Sequence, residues 1–153
     1  MGRGNSLVVS IFAPLDPATN ATVIDLRVRF FETDLMGIVH HASYLTYFES
    51  GRVEWLRRRG VRYSDWATSG VHLPVVEAQA KYQSPARFDD ELIVETRLVE
   101  LRSVSMKYEY VIRRDTTAIA SGMTRLGCID AAHKLLRIPE SMREVLLSPE
   151  LPR

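Results

Sequence analysis

Between Ala42 and Arg59 the chain carries one long stretch of helical periodicity, and almost everything from Val71 to Ile138 alternates as strand. A single helix of about 18 residues can cover one face of a five- or six-stranded sheet and no more. The other face must be covered by curvature of the sheet or by a partner. The expectation is therefore an α+β fold, one helix against an antiparallel meander, in an oligomer.

Details of the pattern support this order. Leu45, Phe48, Glu49, Arg52, Val53 and Leu56 recur at spacings of three and four and predict one packed stripe. Gly60 is placed to stop the helix. Ser64 to Ser69 reads as a second, short helical turn ended by Gly70. Upstream, Ile24, Leu26, Val28 and Phe30 alternate with Asp25, Arg27 and Arg29, which predicts a half-buried strand. That strand runs into Glu32-Thr33-Asp34-Leu35-Met36-Gly37, a turn built on Asp and Gly.

Four further strands are expected at Leu73–Tyr82, Leu92–Leu101, Ser105–Arg114 and Ala118–Ile129, with hairpin turns at Arg114–Thr117 and Ala131–Lys134. Pro139 suits the first turn of a short C-terminal helix, Glu140 to Leu147. Residues 1–21 lack periodicity and read as a flexible arm, with Leu7–Phe12 readable as an edge strand. The arm opens with Met1-Gly2-Arg3-Gly4-Asn5-Ser6, a formal match to a myristoylation pattern, taken here as a loose tail. Residues 22–148 form a single domain, with no repeat or linker.

Composition narrows the function. At 153 residues, roughly 69% of the unfolded chain's surface is buried on folding, enough for a core without staples. Twenty basic and nineteen acidic residues give a net charge of +1, which lacks the basic excess of a nucleic-acid binder. Arg57-Arg58-Arg59 ends the predicted helix, where basic residues complement the helix dipole. The one cysteine, Cys128, cannot form an internal disulfide and sits in an apolar run as a small hydrophobe. A reducing cytoplasm fits it. No run approaches the length of a membrane span.

The chemistry-bearing segment is Phe31 to Leu45. Asp34 leaves a strand just before a tight turn, and a helix begins some residues later. Free N–H groups at a helix start carry partial positive charge, so a carbonyl oxygen set against them is polarised. A carboxylate beside that carbonyl can attack it or activate a water. Asp before a helix is equally a turn or cap residue.

The pattern Asp34-x-x-Gly37-Ile38-Val39-x-His41-x-x-Tyr44-Leu45, followed by Phe48-Glu49-x-x-Arg52-x-Glu54-x-Leu56-Arg57, resembles the 4-hydroxybenzoyl-CoA thioesterase family of hotdog folds. It is especially similar to the Tol–Pal-cluster acyl-CoA thioesterase branch, as is Tyr82-x-x-Pro85-Ala86-Arg87-Phe88-Asp89-Asp90-x-Leu92. The resemblance spans about Val23 to Ile138. It implies a long helix wrapped by a curved antiparallel sheet, with sites at the interface of a homodimer, often within a homotetramer.

By the same resemblance Asp34 is the catalytic aspartate, nucleophile or general base, and His41 supplies the backbone N–H that polarises the thioester carbonyl. Gly37 lets the chain turn closely past the thioester. Arg102 falls where some members hold CoA phosphates with consecutive basic residues. Here Ser103 and Val104 follow it, so the carrier, acyl-CoA or acyl carrier protein, stays open.

His40 is expected to line the pocket or support it, and Tyr44 to line the acyl pocket or a dimer seam. Glu49 is expected either in a buried pair with Arg52 or as a water-orienting carboxylate. His72 and His133 read as surface or turn residues. A metal set of Glu32, Asp34, His40 and His41 is disfavoured by its adjacent histidines, and the implied reaction needs neither metal nor organic cofactor. Two other classes compete. A hotdog hydratase or dehydratase would place Asp and His five residues apart around Asn and Pro, whereas Asp34 and His40 are six apart with neither between them. A non-catalytic acyl-CoA-binding protein would bind without turnover.

Overall fold

The computed structural model describes Leu15 and residues 20–153. Most of the expected arm, including Leu7–Phe12, lies outside the described residues. Its last two residues belong to the fold. Ala21 opens the first strand, and Asn20 is buried, with its carbonyl accepting from Trp55 Nε1 at 2.7 Å and its side chain donating to the Leu98 carbonyl.

The chain order is β1 (Ala21–Arg27), a single 3₁₀ turn (Phe30–Glu32), α1 (Ser43–Arg57), α2 (Tyr63–Thr68), β2 (Val75–Tyr82), β3 (Glu91–Leu101), β4 (Ser105–Arg114), β5 (Thr117–Gly127) and α3 (Glu140–Leu146). The strands form one antiparallel five-stranded sheet in the order β1-β3-β4-β5-β2. Register shifts in β2, β3 and β5 mark bulges, the usual device for curving a sheet. The expected hairpin over Arg114–Thr117 turns on Asp115, at φ +50°. Pro139 caps α3 from outside rather than entering its first turn.

Two elements differ from the sequence pattern. β1 stops at Arg27, and Phe30, expected on its buried face, is 77% exposed in the 3₁₀ turn. The turn forms because the Glu32 carboxylate folds back onto the Arg29 N–H at 2.7 Å.

The stripe of α1 is also rotated. Tyr44, Tyr47, Phe48, Gly51, Trp55 and Leu56 are buried, while Leu45 is 43% exposed and Glu49 lies on the open side. Aromatic rings bring the larger area to a contact. Phe48 stacks flat on Tyr110 at 4.4 Å, and Trp55 meets Tyr108 edge-on at 5.3 Å. Glycines permit this approach: a Cβ at Gly51 would strike Thr96 and Val94, and one at Gly122 would strike the Phe48 ring and the Gln79 carbonyl.

The basic run splits in two. Arg57 and Arg58 pair with Glu54 on the helix surface, whereas Arg59 is buried over the Trp55 ring at 3.6 Å and bonds Thr22, Trp55 and Ser148. Cys128 is fully buried, and burial pushes its thiol up, as expected of a packed hydrophobe. Among the described residues no helix is long and apolar enough to cross a membrane.

α1 packs mainly over β1 and β3. The Leu45–Glu49 side of α1 is left open, and β2 is an edge strand exposed at every residue but the half-buried Ala80.

Candidate active site

Glu32 organises the segment that carries the site. Its side chain is 5% exposed, and its Oε1 accepts from the Arg29 N–H and from the Tyr47 hydroxyl at 3.0 Å, while its Oε2 accepts from the Arg29 guanidinium at 3.1 Å. Its backbone carbonyl accepts from the His40 N–H at 2.8 Å and the Ser43 hydroxyl at 3.0 Å. One buried residue thus ties the turn before Asp34 to the start of α1. With both carboxylate oxygens engaged, Glu32 is no free metal ligand.

Asp34 sits between these two anchors, half-buried. Its N–H donates to the Ile38 carbonyl at 2.9 Å, and its carbonyl accepts from the Gly37 N–H at 2.9 Å. Oδ1 accepts from the Met36 N–H at 2.9 Å, an Asx turn. Oδ2 has no hydrogen-bond partner among the described residues. One oxygen therefore stabilises the turn and the other is available.

Gly37 closes this turn at φ +74°, a conformation that costs a residue with a Cβ about 1–2 kcal/mol. The reason differs from crowding: a Cβ there would meet only Arg87 Nη1, at 4.0 Å.

His40 is a supporting residue. Its Nδ1 accepts from the Ala42 N–H at 3.1 Å, capping the chain as it enters α1, and its ring lies against that of His41, tilted by 30° with centroids 4.1 Å apart. The His41 N–H has no acceptor among the described residues, and the His41 carbonyl accepts from the Tyr82 hydroxyl at 3.0 Å.

Asp34, His41, Tyr44 and Tyr82 line one cavity of about 380 Å³ together with Ser84 and Pro85. Tyr44 is also in the core, 3% exposed, and burial pushes its phenol up, so it stays protonated. Tyr82 and Ser84 were not foreseen as lining residues. The available signal was an aromatic closing a strand just before the Pro85 turn.

Two expected site residues lie elsewhere. Glu49 is exposed, lines other cavities, and makes no ion pair with Arg52. Arg52 instead donates to Tyr110 Oη at 3.1 Å and Thr124 Oγ1 at 3.4 Å, because α1 turns it toward the sheet. Arg102 follows the far end of β3 and pairs with Glu100. Eleven strand residues, about 36 Å at the usual rise, separate it from the end of the sheet nearest Asp34.

A carbonyl oxygen set against the His41 N–H would be polarised there, and Asp34, with one carboxylate oxygen unbonded, lines the same cavity. Residues 28–146 match the thioesterase-like superfamily model. An acyl-CoA thioesterase of Haemophilus influenzae is 30% identical over 112 residues, covering 72% of this chain and 82% of that protein. A Thermus thermophilus protein of known crystal structure superposes with a TM-score of 0.79 at 40% identity, covering 81% of this chain and 95% of that one. The DHNA-CoA thioesterase of Staphylococcus aureus superposes with a TM-score of 0.79 at 25% identity, covering 82% and 87%. With its single long helix against a curved antiparallel sheet, a hotdog architecture, the chain belongs to the thioesterase-like superfamily and is a thioester hydrolase.

Proposed function

We propose that Asp34 and the start of α1 are the catalytic centre of this acyl thioester hydrolase, acting on acyl-CoA or acyl carrier protein thioesters. The observation that carries this reading is that Asp34, whose Oδ2 has no hydrogen-bond partner among the described residues, lines the same cavity as His41. The thioester carbonyl oxygen would accept from the His41 N–H. As general base, Asp34 takes a proton from water, the water oxygen bonds to the carbonyl carbon, the C–S bond breaks, and the thiolate takes up the proton. As nucleophile, the same oxygen bonds to the carbonyl carbon, the C–S bond breaks and the thiolate leaves, taking a proton from solvent; water then cleaves the resulting anhydride, releasing the acid and restoring the Asp34 carboxylate. Both routes use the one oxygen the turn leaves unbonded.

The residue pattern from Asp34 to Arg57 supports a place in the 4-hydroxybenzoyl-CoA thioesterase family. Neither Glu49 nor Arg102 belongs to the Asp34 cavity of its own chain, so any contact with substrate there would come from a second copy. Assembly is expected on independent grounds. β2 is an edge strand with Val75 46% and Val76 63% exposed, and such an edge is a template for pairing with another strand. Light scattering at micromolar concentration should return at least twice the chain mass. A monomer would remove the shared-site arrangement.

Gly37→Ala should lower turnover while lowering stability by only about 1–2 kcal/mol, since the cost is conformational. Turnover per folded molecule, measured beside a thermal melt, checks this. Wild-type turnover in Gly37→Ala would separate the turn from catalysis.

A further inference from the structure

α1 begins without the usual side-chain cap. Its N-cap is Ala42, which has no oxygen to offer the first turn, whereas Ser, Thr, Asp and Asn normally supply one. Yet the chain entering the helix is bonded at almost every backbone group. The His40 N–H donates to the Glu32 carbonyl at 2.8 Å, and the Ser43 N–H donates to the His40 carbonyl at 2.9 Å. The Ala42 N–H donates to His40 Nδ1 at 3.1 Å, and the Tyr82 hydroxyl donates to the His41 carbonyl at 3.0 Å. From His40 to Ser43, the His41 N–H is the one backbone donor without an acceptor among the described residues.

Two of these bonds come from side chains, and both hold the same peptide. His40 Nδ1 takes the N–H of the His41–Ala42 peptide, and Tyr82 takes its carbonyl. A trans peptide is planar, with its N–H and C=O pointing opposite ways, so a bond at each end fixes its plane. The preceding peptide is held at its carbonyl by the Ser43 N–H, which sends the His41 N–H the opposite way. With both flanking planes held, the backbone of His41 has little freedom to turn. Burial does not do this work, because His41 and Ala42 are both exposed. The two side chains are themselves braced. Tyr82 closes β2, and its ring meets the buried Tyr44 ring with centroids 5.3 Å apart. The His40 ring lies against that of His41 at 4.1 Å.

We propose that His40 and Tyr82 are positioning residues for thioester hydrolysis: together they clamp the His41–Ala42 peptide and so hold the His41 N–H in the direction that meets the thioester carbonyl. This rests on the reading that this N–H is the carbonyl's donor. A donor stabilises a developing oxyanion most when it is aimed before the reaction and has no need to reorient. Both side chains act through the backbone of His41, and neither has to touch the substrate.

The test measures thiol release from a panel of acyl-CoAs by the full chain, with a melt on each preparation. His40→Leu removes the acceptor and should lower kcat by about tenfold, the scale of one hydrogen bond, with little change in KM. His40→Asn should restore most of that loss, because an Asn oxygen accepts from the N–H two residues on, as in an Asx turn. Tyr82→Phe deletes only the hydroxyl and should lower kcat to a similar extent. Amide exchange at Ala42, followed by NMR, should quicken in His40→Leu and stay at the wild-type rate in His40→Asn. Wild-type turnover per folded molecule in His40→Leu overturns the proposal, as does an equal loss in His40→Leu and His40→Asn. A rise in KM alone in Tyr82→Phe makes its hydroxyl a substrate contact and overturns the clamp. Asp34→Asn, assayed alongside, separates this from the catalytic reading. If it keeps full turnover while His40→Leu loses it and His40→Asn recovers it, the clamp stands and the role of Asp34 falls. If Asp34→Asn alone loses turnover, the clamp falls and the role of Asp34 stands.

Discussion

Asp34→Asn is expected to lower kcat by at least ~10²-fold, the low end of what a positioned general base contributes. The substitution is clean because of how the two oxygens are used. Oδ1 accepts the Met36 N–H at 2.9 Å, a bond the Asn carbonyl oxygen can keep. Oδ2 becomes an NH₂ group, which can neither take a proton from water nor attack a carbonyl. KM should change little, since the lost interaction belongs to the transition state. The melting temperature should hold, because the turn keeps its hydrogen bond and the Gly37 N–H still donates to the residue 34 carbonyl. Hydrolysis of a panel of acyl-CoAs by thiol release, with a melt on the same preparation, reads both quantities. Turnover within a few-fold of wild type would move the catalytic group elsewhere.

A loss of about 1–3 kcal/mol is expected for Glu32→Ala, the cost of leaving buried partners unsatisfied. The Tyr47 hydroxyl loses its acceptor, the Arg29 N–H loses the bond that closes the 3₁₀ turn, and the Arg29 guanidinium loses its ion pair. At this chain length each kcal/mol lowers the melting temperature by about 2–4 °C. Glu32→Gln should recover most of the loss, because an amide oxygen can still accept from Arg29 and Tyr47. Activity of the Ala variant should fall as well, since the Glu32 segment positions both Asp34 and the His40–Ser43 entry to α1. If Glu32→Ala melts with the wild type, the buried carboxylate does not hold this loop.

Much of the fold was legible because it follows from local periodicity. Met106, Tyr108, Tyr110 and Ile112 alternate in the sequence and are all buried on one face of β4, whose ends coincide with the expected ones. Asp34, Gly37 and His41 were legible as a turn running into a helix, and the structure places them there. Local pattern failed where two residue types compete for one position. Leu45 and Tyr44 are adjacent on α1, and hydrophobicity favoured the leucine. Packing buried the tyrosine, whose ring meets Tyr47 and Tyr82 with centroids 5.7 and 5.3 Å away.

By itself the sequence determined the order of elements, the single helix that an antiparallel meander must share, and a carboxylate in a tight turn before that helix. These are properties of short segments, set by side-chain period, turn residues and backbone freedom. Only the tertiary structure decided how α1 is rotated, because that depends on which rings fit over Gly51, Gly122 and the β4 tyrosines. It alone showed that Glu32 is buried, since a carboxylate is buried only where distant partners converge, here Tyr47 fifteen residues on. It also separated Glu49 and Arg102 from Asp34 within one chain. Position along the sequence carries no measure of where a helix face turns or where the far end of a strand lies.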